Sequence, residues 1–562
     1  MTRPTQDVSR RAFLRVAGGV LLGAASMPVL EACTASLPGT SGGAASGSGA
    51  TASGKVTLPA YAALPNLPAA DMPGTPDGLL APGYQRYPTN LIQSVPQPFG
   101  KGGDVNALTV SLSPAPAPLE SNPAWQQVNK ELGLRLRIPS ISTADYPTRL
   151  NTVLAGGDLP DIIAAAIFST TMPNIGDFLN SACADLTPYL SGDAVKDYPN
   201  LANLPSTAWP PMIYNNKIMA VPVAAGGVRT SPLLLARGGD LDKAGITSIK
   251  SPDEFMGVCK QLNNPGTRWA LGASTFINWL AMAYGAPNSW RESGGKFTKD
   301  YETPEYKEAV AYHRALWDAG LFHPDSATLS GSPAGVQYYG GKFVFSPHAS
   351  WSLVAYQTAW ERANADPEAK PRAVLPFNKD GTGRAAQFIG LGSTGTIALK
   401  KAPADRIKEL LGVLNYVTAP VGTTEALLMQ YGVEGADFTR DGNGNPVPTQ
   451  QGLNDTIVPW KNIGGPPDYL FSSNSAEFVP YTYQAQKEHF AQTVPNPIAG
   501  LYSPTDSSKG ITLRTTFIDK MNDILFGRAP VSGFDDMVKD WRANGGDTIR
   551  GEYEKAFQQA KS

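Results

Sequence analysis

The chain has 562 residues, of which 17% are charged and 42% are hydrophobic, and its 46 Lys and Arg against 48 Asp and Glu give a formal net charge of −2. This balance excludes a nucleic-acid binder that relies on bulk positive charge, because phosphate binding needs a concentrated basic surface. The apolar content excludes an acidic disordered chain. At roughly 150 residues per domain, the length fits about three or four domains, or two large lobes.

The N-terminus is typical of an export signal. Arg10 and Arg11 precede an uncharged stretch at 16–30, which is too short for a membrane-spanning helix of about 20 residues. The arginine pair followed by Phe-Leu resembles a twin-arginine signal. Residues 30–33 resemble a lipobox in which Cys33 carries the lipid, with Glu31 as an unusual member. An ordinary cleaved signal with a chance cysteine is the alternative.

The segment after Cys33 predicts a tether. Residues 34–54 are almost entirely Ser, Gly, Ala and Thr, a composition that cannot bury apolar area. A Pro-rich stretch at about 58–99 follows, and we expect it to lie extended along a surface. These features predict a signal peptide at 1–33 and a tether at 34–103. We expect the mature protein to be held by its lipid at the outer face of the cytoplasmic membrane.

From residue 104 the pattern alternates between strand and helix. Pro123 lies near the start of one predicted helix and Gly133 just past its end, as helix boundaries favour. The predicted order is strand 107–112, helix 123–132, strand 134–138, helix 145–155 and strand 159–164. Such an order implies parallel crossovers and an α/β lobe. Ligands of such sheets sit beyond the carboxyl ends of the strands, here near residues 167–170.

The rest of the chain continues the mixed pattern. Ser251 and Thr303 are predicted helix caps, each followed by a proline in the first turn. The remaining predictions are strands at 217–223 and 233–236, helices at 251–262, 303–319 and 403–417, and a mostly helical region after 512 that ends in a helix at 547–561.

Common chemical motifs are weak in this chain. The four histidines do not pair at metal-binding spacing and there is no Cys-x-x-Cys, so we expect no zinc site. His313 shares a helix face with aromatic residues and is predicted to be a packed core histidine. Residues 390–395 match G-x-G-x-x-G, but a predicted strand follows where a dinucleotide site needs a helix. Residues 441–445 start like a calcium loop and are better interpreted as a hairpin turn.

Five segments follow one another in a recognisable order: AGGDLPDII at 155–163, YNNKIMAVP at 214–222, LARGGDLDKAG at 235–245, GGKFVF at 340–345 with Trp351, and 388–398. Together they resemble the extracellular solute-binding proteins of ABC importers, in the oligosaccharide-binding family 1 that includes maltose-binding protein. YGVEGADF at 431–438 and WRANGGD at 541–547 with Glu552 and Tyr553 are similar to the large lipoprotein group for aldouronates and complex glycans. The resemblance covers about 104–562.

The resemblance implies a two-lobed α/β fold of type II whose lobes close on ligand by hinge motion. Lobe one would contain 104–226 and 388–562 with the C-terminal helical region, and lobe two 230–385, joined by hinge strands. Relatives often carry a calcium-loop-like insert at the place that residues 263–270 occupy in this chain. Residues 263–270 contain no carboxylate, so we expect no metal there.

The function implied is capture of an oligosaccharide and its delivery to ABC permease subunits, without catalysis or a cofactor. A uronic-acid-containing oligosaccharide is one option. We expect a monomer with no nucleic-acid partner. Glycosidase acids carry no short motif, so a secreted lipoprotein glycoside hydrolase or esterase remains the alternative. A structural or adhesion lipoprotein is a third interpretation.

Sugar sites combine aromatic platforms with polar hydrogen-bonding groups. Four tryptophans near predicted loop ends are candidate platforms, with core packing as the alternative for each: Trp351, Trp279, Trp209 and Trp460. Asp161 is a candidate polar contact, although a role in shaping the strand end is favoured.

A uronate carboxylate would favour a bidentate arginine over lysine. The candidates are Arg229, after the first predicted crossing between lobes, and Arg384, before the return strand. The alternative is that they are solvated charges or interlobe ion pairs. Cys183 and Cys259 would lie in different lobes, and we therefore predict two free, separately buried thiols.

Overall fold

The computed structural model describes residues 56–561 apart from 113, 168–169, 173, 225–231, 273–275, 330, 349–365 and 473–476. Its α-helices in this part of the chain are Pro123–Leu132, Tyr146–Gly156, Ile175–Ala182, Thr187–Leu190, Pro199–Ala202, Gly238–Lys243, Pro252–Leu262, Phe276–Ala283, Pro304–Asp318, Gly331–Tyr339, Ala404–Val417, Thr424–Tyr431, Gln450–Asp455, Phe478–His489, Ile511–Leu525, Phe534–Trp541 and Asp547–Lys561.

The strands, numbered in chain order, are β1 Asp104–Leu108, β2 Arg135–Arg137, β3 Ile162–Ile167, β4 Thr170–Thr171, β5 Ile213–Tyr214, β6 Lys217–Ile218, β7 Val221–Ala224, β8 Leu233–Arg237, β9 Trp269–Leu271, β10 Trp290–Ser293, β11 Lys296–Lys299, β12 Phe343–His348, β13 Pro371–Val374, β14 Gln387–Phe388, β15 Ser393–Leu399, β16 Phe438–Arg440, β17 Pro446–Pro448 and β18 Thr493–Val494.

The first sheet has the order β2-β1-β3-β15-β7, with β4 paired to β3. β1 runs parallel to β2 and β3, as the crossover pattern predicts, while β15 runs antiparallel to β3 and β7. β3 is almost fully buried, which explains its run of Ile and Ala, because parallel sheets covered on both faces are continuously apolar. β15 begins within the glycine motif at 390–395 and continues to Leu399, which confirms that the motif leads into a strand and not into a helix.

Local signals set the helix ends of this region. The Asn122 side chain accepts a hydrogen bond from the Trp125 N–H, and Gly133 ends the same helix at a left-handed φ of 71°. Ser251 caps the helix Pro252–Leu262 in the same way through the Glu254 N–H. Side-chain caps and a C-terminal glycine satisfy backbone groups that a helix leaves unpaired. The predicted bounds of both helices are confirmed.

A second sheet has the order β13-β8-β12-β9. β12 runs parallel to β9, and β8 runs antiparallel to both of its neighbours. β8 is buried along its whole length, and the long helix Pro304–Asp318 shares a hydrophobic core with it. His313 of that helix is fully buried against Phe322, at 4.7 Å between ring centroids, so its prediction as a core histidine is confirmed.

The two sheets have separate hydrophobic cores. Cys183 lies in the first and Cys259 in the second, and both are free and buried. Burial raises the pKa of both thiols. The prediction of two free, separately buried thiols is confirmed. The C-terminal helices also lie in the second core, through Phe517, Trp541 and Tyr553, although the sequence analysis grouped 388–562 with the first lobe.

Amide side chains join the chain passages between the two sheets. β14 pairs with β18 in parallel. The Asn288 amide donates to the carbonyls of Ile389, at 2.7 Å, and Val494, at 2.8 Å. The Gln387 amide donates to the Pro232 carbonyl at 2.8 Å. These bonds hold adjacent passages in register where the chain moves from one sheet to the other.

The Pro-rich segment 56–99 is tied down along its length. Its backbone bonds to Gly192 and Ala202 on the first-core side, with Ala62 N–H 2.9 Å from the Ala202 oxygen. Farther along, the Tyr483 hydroxyl donates to the Pro73 carbonyl at 2.8 Å. The fully buried Glu425 accepts the N–H groups of residues 94 and 95. Within the described residues, none of the helices combines the length and hydropathy that crossing a bilayer requires.

Candidate ligand-binding cleft

A cavity of about 430 Å³ opens between the first sheet and the chain segment 496–514. On the sheet side it is lined by Ala166 of β3 and by residues 393–396 of β15. Ala166 lies at the carboxyl end of β3, which is the end where ligands of α/β sheets bind. The opposite wall carries Tyr502, Asp506 and Arg514, with Tyr553 of the last helix.

Two tyrosines form one aromatic wall of this cleft. Tyr214 and Tyr502 meet edge to face, with centroids 5.9 Å apart and an angle of 63°. Burial raises the pKa of Tyr214 to about 12, against the smaller, opposite effect of its hydrogen bond with Thr396. Tyr502 lies directly on Gly176, because a Cβ there would come within 2.6 Å of the phenol oxygen. The glycine thus determines where the Tyr502 ring can lie.

An ion pair stands beside the tyrosines. Arg514 Nη1 donates to Asp506 Oδ1 at 2.9 Å, and the Tyr553 hydroxyl donates to Asp506 Oδ2 at 2.7 Å. Burial, and then the nearby Asp506 charge, raise the pKa of Tyr553, so its hydroxyl stays protonated as a donor. A Cβ on Gly510 would lie 1.9 Å from Asp506 Oδ1. The pair therefore requires a glycine beneath it.

The backbone under this pair is irregular. Residues Asp506–Gly510 form a π-helical turn that leads into the helix Ile511–Leu525, and such turns often occur at functional sites. Glu552 holds the turn from below, since its carboxylate accepts the Thr505 N–H at 2.9 Å and the Thr505 hydroxyl at 2.8 Å. The turn is thereby anchored to the last helix.

Two hydroxyl groups at the cleft lack hydrogen-bond partners in the described structure. They belong to Thr394 and Ser507, whose oxygens are buried, and both residues line the cavity. Buried hydroxyls normally find a partner, because an unmade hydrogen bond costs free energy. A polyhydroxylated ligand in the cleft would supply partners for both.

The sequence profile of the bacterial extracellular solute-binding protein family matches residues 124–433, more than half of the chain. The chain belongs to this family. Solved proteins of similar fold include the alginate-binding protein AlgQ2, with a TM-score of 0.59 at 14% identity over 84% of this chain and 100% of that one. The N-glycan transport solute-binding protein NgtS of Streptococcus pneumoniae gives 0.60 at 17% identity over 82% and 99%. The two-lobed type II fold is confirmed.

Two curated relatives from Bacillus subtilis (strain 168) match over most of their length. The polygalacturonan/rhamnogalacturonan-binding protein YtcQ is 25% identical over 78% of this chain and 88% of its own. Lipoprotein LipO is 22% identical over 82% of this chain and 94% of its own. The resemblance to extracellular solute-binding proteins of ABC importers is thus confirmed by independent relatives.

Three of the predicted tryptophan platforms lie in this solute-binding protein's cores. Trp279 is 1% exposed, and its indole N–H donates to the Val374 carbonyl at 3.3 Å. Trp209 and Trp460 are each 2% exposed in the first core. The packing alternative describes these three side chains, because the apolar rings contribute more by filling a core than by facing water. Trp351 lies outside the described residues.

The two predicted polar contacts that the structure describes, Asp161 and Arg384, lie away from the cleft. Asp161 is at the amino end of β3, where its carboxylate accepts the Asn106 N–H at 2.9 Å and pairs with Arg406 at 3.1 Å, so it shapes the strand end. Arg384 is 57% exposed, 3.7 Å from Glu488, and lines a different cavity. Arg229, Arg10, Arg11 and Cys33 lie outside the described residues.

No sequence pattern predicted the residues that line the cleft. Tyr553 belongs to a segment that carried the family resemblance, but its position gave no indication of a cavity. Ser503 followed by Pro504 and Asp506 has the pattern of a helix cap, with proline in the first turn. That signal indicates that the helical segment begins before residue 512. The π-helical turn, with Asp506 of its ion pair, lies in this earlier part.

Proposed function

We propose that this solute-binding protein captures an oligosaccharide in the cleft and delivers it to the permease subunits of an ABC importer. The observation that carries the proposal is the combination of the Tyr214–Tyr502 wall, the Asp506–Arg514 pair and the two buried hydroxyls around one cavity. Aromatic faces suit the C–H faces of sugar rings, and paired polar groups suit their hydroxyls.

The size of the cleft supports this ligand class. Its volume of about 430 Å³ lies within the range of small-molecule sites, roughly 300–1,000 Å³. The curated relative YtcQ is a polygalacturonan/rhamnogalacturonan-binding protein, and the fold neighbour NgtS is an N-glycan transport protein. Fragments of polygalacturonan, rhamnogalacturonan and N-glycans therefore belong in the first ligand panel.

A thermal-shift screen followed by calorimetric titration tests the proposal. A ligand that binds only the native state adds about 2.7 kcal/mol of stability at 100 times its Kd, so a positive glycan should raise the Tm in a concentration-dependent manner. Tyr502→Ala should weaken that glycan at least about 10-fold, given the cost of losing a stacking ring. The matched control is Tyr61→Ala, a 40% exposed tyrosine outside the cavity.

The same incubations separate binding from catalysis. We expect stoichiometric binding, with the glycan recovered intact by chromatography. Release of shorter products would instead support the glycoside hydrolase alternative, and loss of ester groups from a glycan of unchanged length would support the esterase alternative. A panel that neither shifts the Tm nor gives a titration signal would contradict the proposal.

We further propose that the protein is exported through the Arg10–Arg11 signal and anchored through lipidated Cys33. The family is extracellular, and one relative is a lipoprotein. Cys33→Ser should move the protein from the membrane fraction to the soluble exported fraction. Replacing both arginines by lysine should instead leave uncleaved precursor in the cytoplasm, if export uses the twin-arginine route.

We assign the lobes from the two cores. Lobe one takes 104–226 and the part of 388–562 that packs in the first core, and lobe two takes 230–385 with the helices from 511 onward, which share the second core. In this assignment the cleft lies between the lobes, where Arg229 and Trp351 remain predicted ligand contacts. We expect a monomer to be sufficient for binding.

A further inference from the structure

We propose that Arg514 is the residue that binds a ligand carboxylate, so that the cleft selects oligosaccharides containing uronic acid. The inference rests on the proposed function and names the chemistry of its ligand. It replaces the earlier assignment of the carboxylate to Arg384, whose side chain lines a different cavity.

The guanidinium of Arg514 offers a free edge. Only its Nη1 donates within the described structure, to Asp506 Oδ1 at 2.9 Å, while Nε and Nη2 make no hydrogen bond to any described residue. The side chain is 51% exposed and lines the cavity. A guanidinium edge with two free donors matches the two oxygens of a carboxylate, which a lysine amine cannot do.

The side chain is held in place before ligand arrives. Asp506 anchors Arg514 through one oxygen and is itself held by the Tyr553 hydroxyl through the other. Gly510 leaves room for the pair, and the π-helical turn that carries Asp506 is fixed by Glu552. A donor that is already positioned loses less conformational entropy on binding.

The charged side chains of the described cavity lining are one carboxylate and one guanidinium, so the attraction for an anion comes from the free edge of the guanidinium and not from a net positive charge. Asp506 and Arg514 are the charged side chains among the described residues of the cavity lining, and both oxygens of Asp506 already accept hydrogen bonds. The Ser503 hydroxyl caps the start of the helical segment by accepting the Asp506 N–H at 3.0 Å. The N-terminal end of a helix carries a partial positive charge, which adds to the attraction.

The remaining groups suit the rest of a uronate ring. The hydroxyls of Thr394 and Ser507 can accept or donate to ring hydroxyls, and the Tyr214–Tyr502 wall can cover an apolar ring face. The carboxylate, the hydroxyls and the ring face therefore have separate complementary groups in one cavity.

The experiment compares a galacturonate oligomer with its fully methyl-esterified form of equal length, since esterification removes the charge but keeps the ring. In calorimetric titrations, the wild-type protein should bind the acid at least about 10-fold more tightly than the ester. Arg514→Gln should weaken the acid about 10- to 100-fold, as expected for lost charged hydrogen bonds, and change ester binding less than about 2-fold. Arg514→Lys should retain only part of the preference for the acid over the ester that Arg514→Gln loses.

Arg528→Gln is the matched control. Arg528 is 53% exposed, pairs with Asp523 at 2.7 Å and lies outside the cavity lining. The Arg528→Gln variant should leave the affinities for the acid and for the ester unchanged. Unaltered Tm values show that the variants are folded.

Wild-type protein that binds acid and ester equally, or Arg514→Gln that weakens both equally, would overturn the inference while leaving the proposed function intact. Binding of neutral glycans but not of uronates would also overturn the inference and leave the proposed function intact. If no glycan of any charge binds, the proposed function itself fails.

Discussion

At the scale of single residues, two glycines determine the geometry of the cleft. Gly176 lies beneath Tyr502, and Gly510 lies beneath the Asp506–Arg514 pair. Neither is needed for a left-handed backbone, since Gly510 has a helical φ of −60°. Their role is to allow a close approach that any Cβ would prevent.

Gly510→Ala tests this role. The new methyl would displace Asp506 Oδ1 and break the pair, so we expect ligand affinity to fall about 10-fold, the scale of one charged hydrogen bond. The free energy of unfolding should change by less than about 1 kcal/mol, because the better helix propensity of alanine offsets part of the strain. Titration and urea unfolding measure the two effects.

The control for that substitution is Gly257→Ala, in an exposed helix position with nothing within 4 Å of its Cβ. It should leave binding unchanged and stabilise the protein slightly. Equal binding by Gly510→Ala and wild type would show that the pair does not contact ligand.

Buried histidines make stability depend on pH. Burial lowers the pKa of His313 and of His489 to about 3, from 6.5. The unfolded chain binds these protons and the folded one does not, so stability is complete above about pH 6.5 and falls as the pH drops toward about 3. Each histidine contributes up to about 1.4 kcal/mol per pH unit.

His313→Phe, which matches the surrounding aromatic rings, should reduce that slope. We expect urea unfolding between pH 6 and pH 4 to show a loss of stability that is smaller than in wild type by about 1 kcal/mol per pH unit. The comparison site is the less deeply buried His323, at 13% side-chain exposure beside Asp325. An unchanged slope would mean that His313 is already charged when folded.

At the scale of elements, strands and helices followed local patterns closely. The helix at 123–132 begins and ends as its cap, proline and glycine predict, and the last helix, Asp547–Lys561, matches its predicted bounds. The predicted strand at 217–223 is instead divided into β6 and β7. After the exposed Lys217, the apolar run 218–223 is buried throughout, so hydrophobic periodicity gives no sign of the break at 219–220.

For the Pro-rich segment, composition alone did not predict how the chain is attached to the rest of the protein. It was predicted to be extended along a surface, but its attachment depends on distant residues such as Glu425, which is fully buried and accepts the N–H groups of Ser94 and Val95 at 2.8 and 2.9 Å. Proline and small residues prevent helix and sheet formation, so tertiary hydrogen bonds hold this segment.

Glu425→Gln should therefore loosen the segment. Weakening two hydrogen bonds to a charged acceptor should cost about 1–3 kcal/mol of unfolding free energy and should speed proteolytic cleavage within residues 85–100. Chemical unfolding and mass spectrometry of limited digests measure both. The exposed Glu120 provides the control Glu120→Gln, and equal digestion patterns for the two variants would argue against the anchoring role.

At the scale of the whole molecule, the two cores behave as separate packing units that share the chain passages between them. Cys183 in one and Cys259 in the other give each core its own reporter. Burial raises the pKa of Cys183 to about 12 and raises that of Cys259 as well, so both thiols should be unreactive while the cores are intact.

Thiol titration of a Cys33→Ser variant checks this arrangement. The native protein should react with no equivalents of a water-soluble disulfide reagent, and the urea-unfolded protein with two. At intermediate urea, mass spectrometry of the labelled peptides should show whether one core opens before the other. One rapidly reacting thiol in native buffer would contradict the burial of its core.

The sequence by itself determined the class of the molecule, an α/β protein with the ordered segments of an extracellular solute-binding family, and the ends of its main helices. These follow from periodicity, caps and segment order, which are local properties of the chain. The sequence also predicted a ligand site beyond the carboxyl ends of the strands, near residue 167, and Ala166 lines the candidate cleft.

The tertiary structure decided which side chains form the site. Trp209, Trp279 and Trp460 have the chemistry of a sugar platform, yet all three are buried in a core. Burial is favourable for the same large rings. Tyr502, Asp506, Arg514 and Tyr553 line one cavity together with residues of the first sheet, and the hydrogen bond from the Tyr553 hydroxyl to Asp506 joins residues 47 positions apart. Contacts between residues so far from the first sheet in sequence depend on packing, which no local pattern records.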